Sequence, residues 1–533
     1  MMRPSSPGVG VKYCCAAGAA FAGSHNPVRS RLSRTNKIKK RFEFIGEIIS
    51  DSIWYKIKAE RCAMKTLIKN GMLVTATDTF VSDILIEDEK IARLEPDLET
   101  DPDHLVDATG KLVMPGGVDP HVHLDLPMFE TVSSDDHYTG HKAAAFGGTT
   151  TAMDFVVLEN EDFAHSVNLW MKKAEKAAID YSFHMNLTQF NDRIAKEIPS
   201  LMTMGIQTLK VFTAYNGRLR LDDGSIFKTL QIARDNGMLV MAHCENGDVI
   251  ETLTGQALAA GHKTPEWHAL TRPAWGAVEA SLRMAAMSAQ ADSPVYIVHM
   301  NAGGEVDMLK YARERGAKVM GETCPQYLFF TIDHLRRPDG AKWVCSPPMR
   351  TEQDNARLWE GLSDGVLQTV GTDHCPFYFD GTKPIVYEGS EVVIPGKELG
   401  RDDFTKIPNG LPGIQDRMPI LWTYGVGAGR ITPNQFVEYT STNPAKIFGL
   451  YPQKGSLLIG ADADIVIWDP EKKVKYGAAH SHQRTDYNLY EGWELTGYPE
   501  KVFLRGTLIV DGDEWKGKRG GGKFLKRSIG EVL

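Results

Sequence analysis

Cysteine is scarce in this chain of 533 residues: Cys14, Cys15, Cys62, Cys244, Cys324, Cys345 and Cys375 form no CxxC pair and no dense framework. That pattern excludes a disulfide-stapled secreted scaffold and reads as reduced thiols in a cytoplasmic protein. No apolar run approaches the roughly 18 residues that a membrane span needs, so no membrane partner is expected. GxGxxG and P-loop signatures are also missing, which leaves an open, doubly wound nucleotide-binding sheet without its usual first turn. Positive charge is thin over most of the chain. The net charge is -8, yet residues 1–63 carry twelve Lys/Arg against four Asp/Glu, so residues 64–533 stand at -16. An acidic body argues against nucleic acid as a partner. The composition, 42% hydrophobic and 24% charged, is that of a globular protein long enough for one large domain and a smaller one.

Residues 1–63 mix Gly, Ala and Ser with a basic cluster from Arg29 to Arg41 and lack the compact apolar region of a secretory signal. They are expected to be disordered, or an over-called start upstream of Met64, rather than a transit peptide.

From Lys65 onward short alternating runs (TLIKNGMLV, SDILIEDEKIARL, KLVM) are split by Gly, Asp and Asn, and similar runs return in SLLIGADADIVIWDP and KVFLRGTLIVDGDEW. Such runs are β-strands, and their placement predicts one β-sandwich built from both chain ends, residues 64–114 and 441–515. Residues 115–440 differ. Eight apolar runs (GGVDPHVHL, TTTAMDFVV, YSFHMNLTQ, IQTLKVFTAY, MLVMAHCEN, PVYIVHMNA, AKVMGETCPQYLF and VLQTVGTDHCPF) are separated by helical stretches such as Asn168 to Ala178, Ile226 to Asn236, Ala277 to Gln290 and Glu305 to Arg315. Strand–helix alternation with eight strands predicts an α/β fold, a (β/α)8 barrel, with residues 516–533 as a tail.

His121 and His123, Lys210, His243, His299 and Asp373 each stand at or near the C-terminal end of one of these runs, the first two sharing one. In a barrel those ends converge on the face where active sites lie. Residues i and i+2 of a strand share a face, so the HxH of His121 and His123 aims two imidazoles together. Alone, the pair reads equally as two polar residues on a surface strand. Lys210 sits in the apolar run TLKVF. A desolvated lysine has a lowered pKa, and its neutral amine can take up CO2 as a carbamate; alone, it reads as a lysine snorkelling to water. Together the six residues suit two divalent metals roughly 3.5–4 Å apart that share a hydroxide. Cys244 and Cys375 are then buried bystanders, and His374 either supports the ligands from behind or is a structural residue.

GGVDPHVHLDLP, TLKVFTAYNG, MAHCEN, VYIVHMNA, GETCPQYL, CSPPMR, VGTDHCPF, KIPNGLPGIQDR and KGSLLIGADADIV resemble the dihydropyrimidinase/D-hydantoinase family of the amidohydrolase superfamily, from Met64 to about Lys526. The resemblance implies a barrel with a binuclear centre, usually of zinc, and a homotetramer. It implies that His121 and His123 bind the more buried metal, that His243 and His299 bind the more exposed one, and that Lys210, as N6-carboxylysine, bridges them. Asp373 would be both a ligand and the proton shuttle. Tyr215 would donate to the oxyanion, and Ser346 and Asn409 would hold the ring amide. The implied reaction is hydrolytic opening of a dihydropyrimidine or 5-substituted hydantoin, the chemistry of pyrimidine degradation. Leu126, Met128, Phe129 and Phe212 are expected to wall the pocket for 5-substituents.

Three rivals are weighed against this. Dihydroorotase-like enzymes carry an arginine two residues past the HxH to grip a carboxylate, and Asp125 stands there instead. Allantoinase shares the metal set, but the CSPPMR and KIPNG matches favour the dihydropyrimidinase side. Non-enzymatic dihydropyrimidinase-related scaffolds lack metal ligands, whereas this chain retains each one. One stretch, Tyr378 to Arg401, is longer and more hydrophobic than the family pattern and reads as a lid or a subunit contact. The basic tail after Trp515, KGKRGGGKFLKRS, reads as a reach toward a neighbouring subunit or as a frayed end.

Overall fold

The computed structural model describes residues 64–128 and 130–533. Expectations for residues 1–63 and for Phe129 lie outside the described residues. Eight parallel strands form the barrel: Gly117–Val122, Thr149–Val156, Asp180–Asn186, Thr208–Phe212, Leu239–His243, Val295–Ile297, Val319–Thr323 and Thr369–Val370. Every residue of these strands is buried except Phe212, as a sheet covered by helices on one side and filled on the other requires. A parallel bridge between Val122 and His374 joins the last strand to the first. Arg417 reinforces that seam, donating to Val118 O at 3.0 Å and to Val370 O at 3.1 Å.

The barrel interior is packed, not open. Val118, Met153, Phe155, Met241, Tyr296 and Met320 fill it, and Ile447, Phe448 and Leu450 plug its lower end. Each such side chain stabilises the fold by about 1.5–3 kcal/mol through burial. The outer helices carry ordinary signals. Asp223–Asn236 starts on Asp222, whose carboxylate accepts from Ser225 N, and stops at Gly237 with φ of 68°.

The two chain ends meet in one nine-stranded sheet, as expected. Leu112–Pro115 lies parallel to Lys65–Val74 on one side and antiparallel to Ile465–Lys475 on the other, where Ile465 faces Pro115 and Trp468 faces Leu112. Ile68, Ile84, Val113, Ile465 and Phe503 form its core. Lys454, 1% exposed, ties this sheet to the barrel floor, with Asp180 at 2.6 Å, Asp464 at 2.8 Å and Asp462 at 3.0 Å. The tail runs along its own barrel: Leu525 N donates to Tyr181 O at 2.7 Å, and buried Arg527 donates to Phe183 O. Among the described residues no helix is long and apolar enough to cross a membrane.

Candidate metal and active site

All six residues singled out at the strand ends line one cavity of about 240 Å³ at the C-terminal end of the barrel. His121 and His123 leave the end of the first strand. Their Nε2 atoms each lie 3.1 Å from Asp373 Oδ1, just past the eighth strand. Ligand atoms of these three residues lie within 4.8 Å of one another. The other ring nitrogen of His121, Nδ1, is 2.7 Å from Glu322 Oε1. With a divalent ion at Nε2, that carboxylate would hold the proton on Nδ1, the tautomer that a metal ligand needs. His121 Nε2 is buried and makes no hydrogen bond.

The second pair is built the same way. His243 ends the fifth strand, and its Nε2 lies 2.9 Å from Glu245 Oε2. Its Nδ1 then faces His299 Nε2 at 3.0 Å. Two ring nitrogens meeting this closely need a proton or a cation between them. Lys210, 2% exposed on the fourth strand, has its Nζ 5.0 Å from the Phe155 ring and 5.5 Å from the Phe212 ring.

Burial and charge shift these groups in opposite directions. Burial brings the Lys210 amine down to about 8 against the pull of Asp373 and Glu322, which favours the neutral nucleophilic form. For His121 burial opposes protonation, but Glu322 and Asp373 outweigh it and push the imidazolium up to about 9. Asp373 is held well below the usual carboxylate range: burial opposes this, and the imidazoles of His121, His123 and His299 overcome it. Two ring nitrogens and one oxygen of this persistent anion converge here, a fitting donor set for a divalent metal. Burial raises the Tyr215 phenol and the Cys375 thiol, so both keep their protons.

Tyr215, His299 and Asp373 hold φ of 69°, 41° and 52°. For residues other than glycine this left-handed backbone costs about 1–3 kcal/mol each, and it clusters here, where side chains must be aimed. Tyr215, Ser346 and Asn409 line the cavity together with Gly410 and Cys375. Leu126, Met128 and Phe212 line it as well, joined by Val157 and Leu219, which sequence reasoning does not single out. Asp125 does not face the cavity. Its carboxylate lies 3.4 Å from His137 Nδ1 and 3.3 Å from Lys176 Nζ. His374 accepts Gly413 N at 3.1 Å on Nδ1, and its Nε2 lies 3.2 Å from Asp135 Oδ2.

The long stretch from Tyr378 forms a hairpin, Ile385–Tyr387 with Ser390–Val392. It rests on its own chain: Tyr387 OH donates to Asp136, and Pro395 O accepts from Thr131. Glu322 and Glu245 are missed by sequence reasoning. Both carried a signal, a glutamate inside an apolar strand run and a glutamate two places after a strand-end histidine.

Residues 112–509 match the amidohydrolase family model. A D-hydantoinase of Geobacillus stearothermophilus is 45% identical over 470 residues, 87% of this chain and 97% of that protein. The crystal structure of dihydropyrimidinase from Brevibacillus agri shares 46% identity and a TM-score of 0.84 over 88% of this chain and 100% of that one. An L-hydantoinase (dihydropyrimidinase) from Arthrobacter aurescens is 29% identical, with a TM-score of 0.76 over 87% of this chain and 100% of that one. The strand-end histidines, the lysine and the aspartate thus sit in a chain that belongs to the amidohydrolase family, in its dihydropyrimidinase and D-hydantoinase branch.

Proposed function

We propose that this cyclic amidase opens a dihydropyrimidine such as 5,6-dihydrouracil, or a 5-substituted hydantoin, to the N-carbamoyl amino acid with two divalent metals, zinc being the expected ion. The observation that carries this reading is the convergence of His121, His123, Lys210, His243, His299 and Asp373 on one cavity that Tyr215, Ser346 and Asn409 also line. His121, His123 and Asp373 would hold one ion, His243 and His299 the other, and a carbamate on Lys210 would serve both. When bound, such ions lower the pKa of water to about 7 and polarise a carbonyl.

The chain's own residues then divide the work. Asp373, kept anionic, takes the proton of the attacking water and returns it to the ring nitrogen as the carbon–nitrogen bond breaks, so no net proton is lost. Tyr215, kept protonated by burial, donates to the oxyanion that forms at the attacked carbonyl. Ser346 and Asn409 hold the ring amide, and Leu126, Met128 and Phe212 receive the 5-substituent. The apolar lining they make with Val157 and Leu219 favours substituted, uncharged rings over a carboxylate-bearing one. Residence in the cytoplasm as a homotetramer accompanies this reading.

One zinc-loaded preparation assayed on dihydrouracil, hydantoin, a 5-aryl hydantoin and allantoin tests it. Ring opening of at least one of the first three is expected; turnover of allantoin alone, or of none, overturns the proposal.

A further inference from the structure

One wall of the cavity comes from chain segments far apart in sequence: Ser346 from one, Cys375 from a second, Asn409 and Gly410 from a third. Behind that wall stands a lysine the mechanism does not use. Lys397 is 1% exposed and opens the short helical turn Lys397–Gly400. Its Nζ donates to Val344 O at 2.9 Å and to Pro408 O at 3.1 Å. Val344 stands two residues before Ser346, and Pro408 immediately before Asn409. Val344 O also accepts Gly410 N at 3.1 Å. Gly410 is pressed against the next strand end, where a Cβ would lie 2.3 Å from Cys375 O.

Among the described residues no carboxylate forms an ion pair with Lys397. Burial draws its amine down to about 7, with only the thiols of Cys345 and Cys375 pulling the other way. A buried amine without a counter-charge is a poor way to stabilise a fold. Its two carbonyl partners suggest a different use. The Gly410–Val344 bond ties the two segments at one point. Lys397 adds a second tie at Pro408, next to Asn409.

We propose that Lys397 is a positioning residue for the substrate ring: by bridging Val344 O and Pro408 O it sets the spacing of Ser346 and Asn409. The proposal rests on the cyclic-amide reading above. Ser346 and Asn409 grip the ring in ground state and transition state alike, so their misplacement weakens binding more than chemistry.

Lys397→Met removes the amine at nearly constant length, Lys397→Gln reaches one carbonyl at most, and Lys397→Arg keeps donors for both. Each full-length variant is zinc-loaded and assayed on dihydrouracil and on a 5-substituted hydantoin, with kcat expressed per bound zinc. For Met and Gln, KM is expected to rise about tenfold or more on both rings while kcat changes less than about threefold. Arg is expected to recover part of the loss. A folded Met or Gln variant with wild-type KM on both rings overturns the proposal, as does a fall in kcat alone, which is what a merely structural lysine gives. Wild-type protein that opens neither ring counts against the cyclic-amide reading itself, and an active wild type beside an unchanged variant counts against Lys397 only.

Discussion

Replacing Glu322 by glutamine removes one charge from behind the proposed metal site and leaves its shape intact. Glu322 is fully buried. Its Oε1 accepts from His299 N at 3.0 Å and faces His121 Nδ1 at 2.7 Å, and its Oε2 accepts Tyr296 OH at 2.9 Å. A glutamine with its oxygen in the Oε1 place keeps the first two bonds. Its amide can then donate to Tyr296 OH, because that hydroxyl also touches Thr369 Oγ1 and can turn its own proton there. Only the second amide N–H is left without a partner, so the fold is expected to survive with a lowered melting temperature. What changes is the strength of the bond to His121. A hydrogen bond to a charged group contributes about 1.5–3 kcal/mol and a neutral one about 0.5–1.5, a difference of about 1–2 kcal/mol. At about 1.4 kcal/mol per factor of ten, metal affinity should fall roughly tenfold, within the range of about 10- to 100-fold typical of such partners. Equilibrium dialysis against graded zinc–chelator buffers, followed by elemental analysis, measures this directly. The melting temperature of each variant serves as the control. A Glu322→Gln protein that holds zinc at wild-type chelator concentrations would refute the reasoning, because His121 would then owe nothing to the carboxylate behind it.

Lys210→Ala and Asp373→Ala are each expected to lose nearly all turnover; a metal-replete Asp373→Ala enzyme with near-normal kcat removes the proton-shuttle role. Phe212→Ala and Met128→Ala widen the apolar wall, and the relative kcat/KM for large against small 5-substituents should shift by about 10- to 200-fold, the scale of one methylene's worth of pocket. An unchanged ranking of hydantoins dismisses that wall. Excising residues 382–395 should leave the fold intact, since a Cβ on Gly381 would already lie 2.4 Å from Gly396 N and Glu398 accepts from both glycines, at 2.8 Å and 2.9 Å. The excision releases the turn bearing Met128, so substrate ranking should change at constant zinc content; aggregation or loss of zinc contradicts this. For Lys397 the sign is worked from its folded pKa of about 7, below the ordinary lysine value of about 10.4. Between those values the unfolded chain binds more protons, so stability rises with pH there. Wild type should therefore gain on Lys397→Met in urea midpoint from about pH 7 to about pH 10, and a gap that narrows over that window is the contrary result.

Much of the fold is legible in the sequence because barrel strands are buried on both faces. A strand without a solvent side reads as a near-continuous apolar run, and each of the eight runs marks a strand. Helix ends are less legible. The segment expected from Asn168 to Ala178 is a helix over Phe163–Lys173, followed by a tighter turn. Its start is set by Asp162, whose carboxylate accepts His165 N, a cap hidden among the acidic residues of ENEDF. The β domain is legible from the return of alternating runs at both ends, whereas the join at Leu112–Pro115 and Ile465–Lys475 depends on which edges meet in space.

The site divides along the same physical line. Residues that project from a strand end announce themselves locally, since a histidine or lysine closing an apolar run has few reasons to be there. Residues that act from behind announce themselves weakly or not at all. Glu322, Glu245 and Lys397 are each buried beside a group distant in sequence, or turned away from the cavity. Asp125 is legible only by residue type: no arginine stands two places after His123 to grip a carboxylate. Where its own side chain goes is not legible, because strand alternation ends at its positive φ of 52° and the carboxylate meets His137 and Lys176. Periodicity therefore places the proposed ligands, and only the folded backbone assigns the charges that tune them.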